Sequence, residues 1–353
     1  MSSSIVSTLS LGQAMLSSVN RAQGQLAQLT VEASSGEYAD LGLQLGDQNG
    51  YELSLRNQTN QLQTLTTANN LTVANMQTAS AALDDIRTSA QTAIEALTSV
   101  TAGSSSAATT LQGTGTNALQ SLIAATNTTS NGQYVFGGEN SGTAPMADYF
   151  SSTTSAAKSA IDTAFENAFT FPPTSASAST ISASDMQSFL SGPYAALFSG
   201  SSWTSLWSSA SSTDVTTQIA PGESTTTSTD ANQPGFQQLA EGYAMLAEFG
   251  GSSLSTDTQQ AVITAASSLI NQGISSITET ESSLGTAQTQ VTDATTSMSN
   301  QLTILQTQIG NLDDVNSSQI ATQLNTLQTQ LESAYQLTDQ LQKLSLAQYL
   351  PVS

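Results

Sequence analysis

Residues 263–312 read ITAASSLINQGISSITETESSLGTAQTQVTDATTSMSNQLTILQTQIGNL. Every seventh position is large and apolar: Ile263, Ile270, Ile277, Leu284, Val291, Met298, Leu305 and Leu312. An unbroken period of seven over this length predicts one very long helix with a single apolar seam. After Leu312 the phase shifts, and a second series begins at Ile320, Leu324, Leu327, Leu331, Ala334 and Leu341. Gln, Thr, Ser and Asn fill most positions between. A seam of this length cannot be buried against itself, so the chain must supply partner helices.

One partner lies toward the other end. Leu55, Leu62, Asn69, Met76, Leu83, Ala90 and Leu97 form one series, and Gln58, Leu65, Thr72, Ala79, Ile86, Ala93 and Val100 its companion. The span of about 46 residues corresponds to roughly 69 Å of helix. Polar positions such as Asn69 fix register at some cost in stability. Residues 1–35 carry a thinner stripe: Ile5, Leu9, Leu16, Val19, Leu26 and Ala33. A helix with so narrow an apolar face is marginal alone, and residues 320–350 are its natural partner.

Between these segments the chain changes character. All nine phenylalanines and both tryptophans fall between Phe136 and Phe249, as do all prolines but Pro351. Aromatic side chains bury large areas, so a smaller domain of mixed secondary structure is expected here. Residues 38–50 read as loop and turn, 117–128 and 236–249 as helices, and Val215 and Ile219 as strand positions. Asn131-Gly132, followed by alternating apolar residues, predicts a β-hairpin.

The expected fold is mainly α. Both chain ends form a long antiparallel, coiled-coil-like helical rod, with a β-hairpin and a smaller mixed α/β or β-rich domain inserted in the middle. The expected boundaries are 1–38 for an N-terminal helix, 39–140 for the first half of the rod and 141–253 for the insert. Residues 254–314 form the second half of the rod, and 315–353 a C-terminal helix.

Composition excludes several function classes. Five Lys+Arg against 26 Asp+Glu leave a net charge of −21, so a basic footprint for nucleic acid is lacking. Cysteine and histidine are absent, which removes disulfides, Cys/His metal sites and His-based catalytic triads. Neither a catalytic residue, a metal nor a cofactor is expected. Asp84-Asp85 and Asp313-Asp314 read as solvated faces rather than acid/base pairs. Gly113-Thr114-Gly115 has no lysine beside it and is a poor phosphate loop. Trp203 and Trp207, four residues apart, read as core. The N-terminus shows no cleavable secretory signal, and no apolar run is long enough to insert in a membrane.

The nested order of these segments resembles the flagellin superfamily, and Asn131-Gly132-Gln133-Tyr134-Val135-Phe136-Gly137-Gly138-Glu139-Asn140 resembles the hairpin motif of its hook–filament junction proteins and of some short flagellins. Ser34-Ser35-Gly36 after Leu29, and Asn311-Leu312-Asp313-Asp314 near the C-terminus, are similar to further family segments. The ending Leu344-Ser345-Leu346-Ala347-Gln348-Tyr349-Leu350 is most like the L-type hook-associated proteins of the hook–filament junction. The usual filament-flagellin residues after Ser-Ser-Gly are replaced by Glu37-Tyr38-Ala39-Asp40. The resemblance implies a structural ring of copies joining hook to filament. It also implies contacts with a neighbouring hook-associated protein and flagellin, an export chaperone on the C-terminal helix, and an extracellular destination. A filament flagellin is the alternative, and a surface adhesin or fibre protein a more distant one. The expected assembly interface comprises Ile5, Leu9, Leu16, Val19, Leu26, Leu324, Leu327, Leu331, Leu341 and Leu344. The expected hairpin motif comprises Asn131, Gly132, Tyr134, Phe136, Gly137 and Gly138.

Overall fold

The computed structural model describes residues 8–151, 155–251 and 253–349. Helix dominates: α1 spans Thr8–Ser35, α2 Leu41–Leu45, α3 Asn49–Ser99 and α4 Ala107–Thr126. Strands β1 (Thr129–Ser130) and β2 (Gln133–Tyr134) follow, then α5 (Ala156–Phe169), α6 (Ala183–Phe189) and α7 (Gly200–Leu206). A second hairpin, β3 (Thr216–Ala220) and β4 (Glu223–Thr226), leads to α8 (Pro234–Phe249), α9 (Thr256–Asp313) and α10 (Ser317–Tyr349). The chain divides into two compact units, residues 1–63 with 300–353, and residues 64–299.

The second unit holds one continuous core. Asn69, Met76, Leu83, Ala90 and Leu97 of α3 are buried, as are Ile263, Ile270, Ile277, Leu284, Val291 and Met298 of α9. Both heptad readings therefore locate buried seams. The two helices run antiparallel here, as contacts from Asn69 to Thr295, Arg87 to Glu281 and Gly103 to Gln259 show. Helices α4 and α8 pack at closer range. A Cβ added at Gly115 would stand 2.4 Å from the Ala247 nitrogen, so only glycine admits this approach.

The aromatic residues of the middle segment join this same core. Phe165 meets Phe169, Phe171, Phe189 and Phe249, with ring centroids 4.7 to 6.3 Å apart. Trp203 and Trp207 stack at 6.0 Å, both fully buried, and Trp203 Nε1 donates to Asn232 Oδ1 at 2.9 Å. The segment is built mostly from the short helices α5–α7, with β3–β4 as its sheet. Ile219 of β3 is fully buried, and its carbonyl accepts from Asn69 Nδ2 at 2.8 Å. Asn69 also donates to Thr295 Oγ1 at 3.1 Å. The polar position inside the seam thus ties a hairpin and both long helices to one another, which specifies register through hydrogen bonds that slippage would break.

The first unit is built differently. Helices α1 and α10 pair antiparallel, and the stretches joining them to α3 and α9 form a short bridge. Tyr38 N–H donates to the Asp313 carbonyl (3.0 Å), and Val315 N–H to the Gly36 carbonyl (2.8 Å). Residues 38–50, expected as loop and turn, contain α2 and a single 3-10 turn at Gly46–Gln48, and α3 already starts at Asn49. Asp40 starts α2 by accepting from the Leu43 amide, the local capping chemistry that favours aspartate before a helix. The short helix expected at 117–128 begins ten residues earlier, at Ala107, because Leu111 and Gly115 face the same core as Leu119 and Leu122.

Candidate assembly surface

Burial along α1 identifies the face it turns toward α10. Gly12, Met15, Val19, Ala22, Leu26 and Leu29 are buried or half-buried, at spacings of 3, 4, 3, 4 and 3. On α10, Ile320, Leu327 and Leu331 are buried, and Leu324 and Ala334 half-buried. Gln23 Nε2 donates to the Tyr335 hydroxyl at 2.7 Å, a direct side-chain hydrogen bond across the pair.

The expected interface residues distribute unevenly over this geometry. Val19, Leu26, Leu324, Leu327 and Leu331 lie in the α1–α10 seam. Leu16 does not: it is 60% exposed. Ala33, from the same expected stripe, is exposed too, while Glu32 beside it is buried. Counting in sevens through Leu16 selects a position one residue past Met15, which turns the side chain about 100° away at 3.6 residues per turn. Starting the count from Met15 would have found Met15, Ala22 and Leu29. Leu9 belongs to α1, and Leu341 and Leu344 to α10, with side chains outside the described residues; Ile5 lies outside them altogether. Leu16, Val31 and Leu337 leave large apolar groups exposed on the helix pair.

Beside the pair, charge is used sparingly and at close range. Arg56 of α3 donates through Nε to Glu52 and through Nη2 to Asp313 Oδ2, the latter at 2.5 Å. Its hydrogen bond to Glu52, opposed by partial burial, holds the guanidinium above its ordinary pKa. Asp313 is 1% exposed. The solvated face expected for Asp313-Asp314 is thus corrected at its first residue, because α9 ends with Asp313 turned inward onto Arg56. In the other unit, Asp84 pairs with Arg87, which also reaches Glu281 at 3.5 Å.

The hairpin motif has a physical reason at nearly every position. β1 and β2 pair Thr129 with Tyr134 and Ser130 with Gln133, leaving Asn131 and Gly132 as a two-residue turn. Both turn residues have positive φ, 52° and 80°, which Asn and Gly tolerate best. The turn is fastened to α3 by Asn75, whose Oδ1 accepts from Ser130 Oγ (2.7 Å) and Asn131 Nδ2 (3.1 Å). Tyr134 is half-buried, and Phe136 is fully buried with its ring edge against Phe236 at 5.4 Å. Gly137 and Gly138 follow because other backbone closes on them. A Cβ at Gly138, where φ is 59°, would stand 2.5 Å from the Ser211 carbonyl oxygen. One at Gly137 would meet the Asn140 carbonyl oxygen at 2.8 Å.

Among the described residues, no group of three or more acidic side chains could hold a metal ion, and no helix is long and apolar enough to cross a membrane. No curated protein matches the chain. Two family models do match. The bacterial flagellin N-terminal helical region covers residues 6–141, and the bacterial flagellin C-terminal helical region covers residues 267–350. The first takes in α1, α3, α4 and the hairpin motif, and the second most of α9 and α10. With both helical regions present in the order and at the ends the fold requires, the chain belongs to the flagellin superfamily.

Proposed function

We propose that this protein forms the junction between the flagellar hook and its filament, as a ring of copies joined through the α1–α10 pair. The family is structural, self-assembling and exported, which leaves open where in the flagellum a member sits. The observation that carries the junction reading is the C-terminal ending from Leu344 to Leu350, together with Glu37-Tyr38-Ala39-Asp40 after the Ser-Ser-Gly segment. In this reading residues 1–38 and 315–353 act as one terminal domain, and the exposed Leu16, Val31 and Leu337 meet neighbouring copies. Head-to-tail contacts of this kind generate closed rings or helical layers according to their rotation. One face of the ring meets another hook-associated protein and the other meets flagellin. Before export, a chaperone covers the apolar residues of α10.

Filament flagellin is the second reading, favoured by the match of both flagellin helical regions. Deleting the gene separates the two. A junction protein leaves hooks in place and flagellin shed into the medium. A filament subunit leaves bare hooks and no flagellin shed into the medium, and that result would remove the junction reading. An adhesin or fibre would leave filaments intact.

A further inference from the structure

The connections on both sides of the α1–α10 pair break at the same level. On one side α1 ends at Ser35 and is followed by Gly36 at φ 80°; on the other, α9 ends at Asp313 and α10 begins at Ser317. What links the two breaks is a single antiparallel bridge between Glu37 and Asp314, with the two main-chain hydrogen bonds already described. Two hydrogen bonds are a weak closure, since each contributes little net stability. Next to them stands Arg56, one of only five cations in a chain with 26 carboxylates. Glu37, Asp313 and Asp314 line the same crevice as Arg56, of about 490 Å³, and Glu52 binds the arginine from α3.

We propose that Arg56 is a latch that keeps this double-stranded hinge closed, so that α1 and α10 are held as one element against α3 and α9 within their unit. Asp313 makes the latch all-or-none. Its side chain is 2% exposed, Oδ2 rests on Arg56, and Oδ1 is buried without a hydrogen-bond partner. The carboxylate therefore depends on the guanidinium for compensation, and a buried charge deprived of its partner drives local opening. Opening at Asp313 withdraws the carbonyl that Tyr38 uses and frees Val315, which breaks both bridge hydrogen bonds together. The hinge is regulated by one charge pair rather than by the breadth of the helix seam.

Hydrogen exchange on the full chain reads this directly through the Tyr38 and Val315 amides. Arg56→Met should speed their exchange by about tenfold or more, while the α4 and α8 amides keep their protection and show that the chain remains folded. Arg56→Lys keeps the charge but offers one point donor in place of the fork, and should fall between. Adding Asp313→Asn to Arg56→Met removes the stranded charge and should restore much of the protection. That rescue separates charge pairing from mere packing. Unchanged exchange at both amides in Arg56→Met, or a double variant that exchanges as fast as the single one, overturns the latch. Should Arg56→Met also lose protection in α4 and α8, Arg56→Lys decides: native-like exchange at Tyr38 and Val315 would count against it.

Discussion

The two units of this molecule spend their side chains differently. In residues 64–299, four helices and the aromatic segment share one core, closed by glycines where backbones touch. In residues 1–63 with 300–353, the buried apolar residues among those described are few and widely spaced, mostly seven residues or about two turns apart along a helix: Val19, Leu55, Leu62, Leu305, Val315, Ile320, Leu327 and Leu331. A side chain in a three-dimensional core touches neighbours on all sides, whereas one in a two-helix seam is covered on one side only. The lesson is that one unit gathers its apolar side chains into a shared core, while the other leaves large ones such as Leu16, Val31 and Leu337 exposed.

The largest test of this contrast is Phe165→Ala. Its ring contacts four other phenylalanines, so the variant should lose about 3–5 kcal/mol in urea unfolding. A loss of less than about 1 kcal/mol would mean that the aromatic core is loosely packed.

Glu241 of α8 comes next. Burial alone pushes its carboxyl up to about 7, against an ordinary value of 4.5. A carboxylate with a raised folded pKa costs stability once ionised. The cost is absent below the ordinary value, grows as pH rises through the window between 4.5 and about 7, and is complete above it. Glu241→Gln should therefore leave stability unchanged at about pH 4 and raise it by at most about 3 kcal/mol near pH 8. Melting curves at both pH values check the sign, and an equal effect at both would contradict it.

Gly115→Ala places a methyl group against the Ala247 backbone. It should cost about 1–3 kcal/mol by forcing α4 and α8 apart, seen as a lower urea midpoint. In the sparse unit, Leu331→Ala should sit at the low end of core truncations, about 2 kcal/mol, because a helix pair can close around the gap. Its effect should appear in circular dichroism as early loss of terminal helix, with the aromatic signals of the other unit unmoved.

The smallest effect sharpens the contrast most. Leu16→Gln touches an exposed side chain and should change monomer stability by no more than about 0.5 kcal/mol. Under the proposed assembly it should nevertheless reduce incorporation into flagella. Normal incorporation would take Leu16 out of the interface.

Seven-residue periodicity located the buried seams of α3 and α9 almost residue by residue, because a long helix meets its partner along one line and that line repeats in the sequence. The Asn-Gly turn was equally legible, since positive φ at two consecutive residues is a local demand. The seam of α1 was placed one residue off: with so few large apolar residues, two phases fit the sequence, and only the packing against α10 chose Met15 over Leu16. Asp313 was misread for a related reason. Neighbouring carboxylates look alike in sequence, and which one turns inward depends on where a helix ends and on an arginine 257 positions away.

The sequence alone thus determined the helical periods, the turn, the lack of histidine and cysteine chemistry and the surplus of negative charge, all of which are local or additive properties of the chain. Tertiary structure decided which phase of α1 is buried, that the aromatic segment shares its core with the long helices, and that Arg56 closes on Asp313. These depend on contacts between residues far apart in sequence, whose free energies appear only when the partners are brought together.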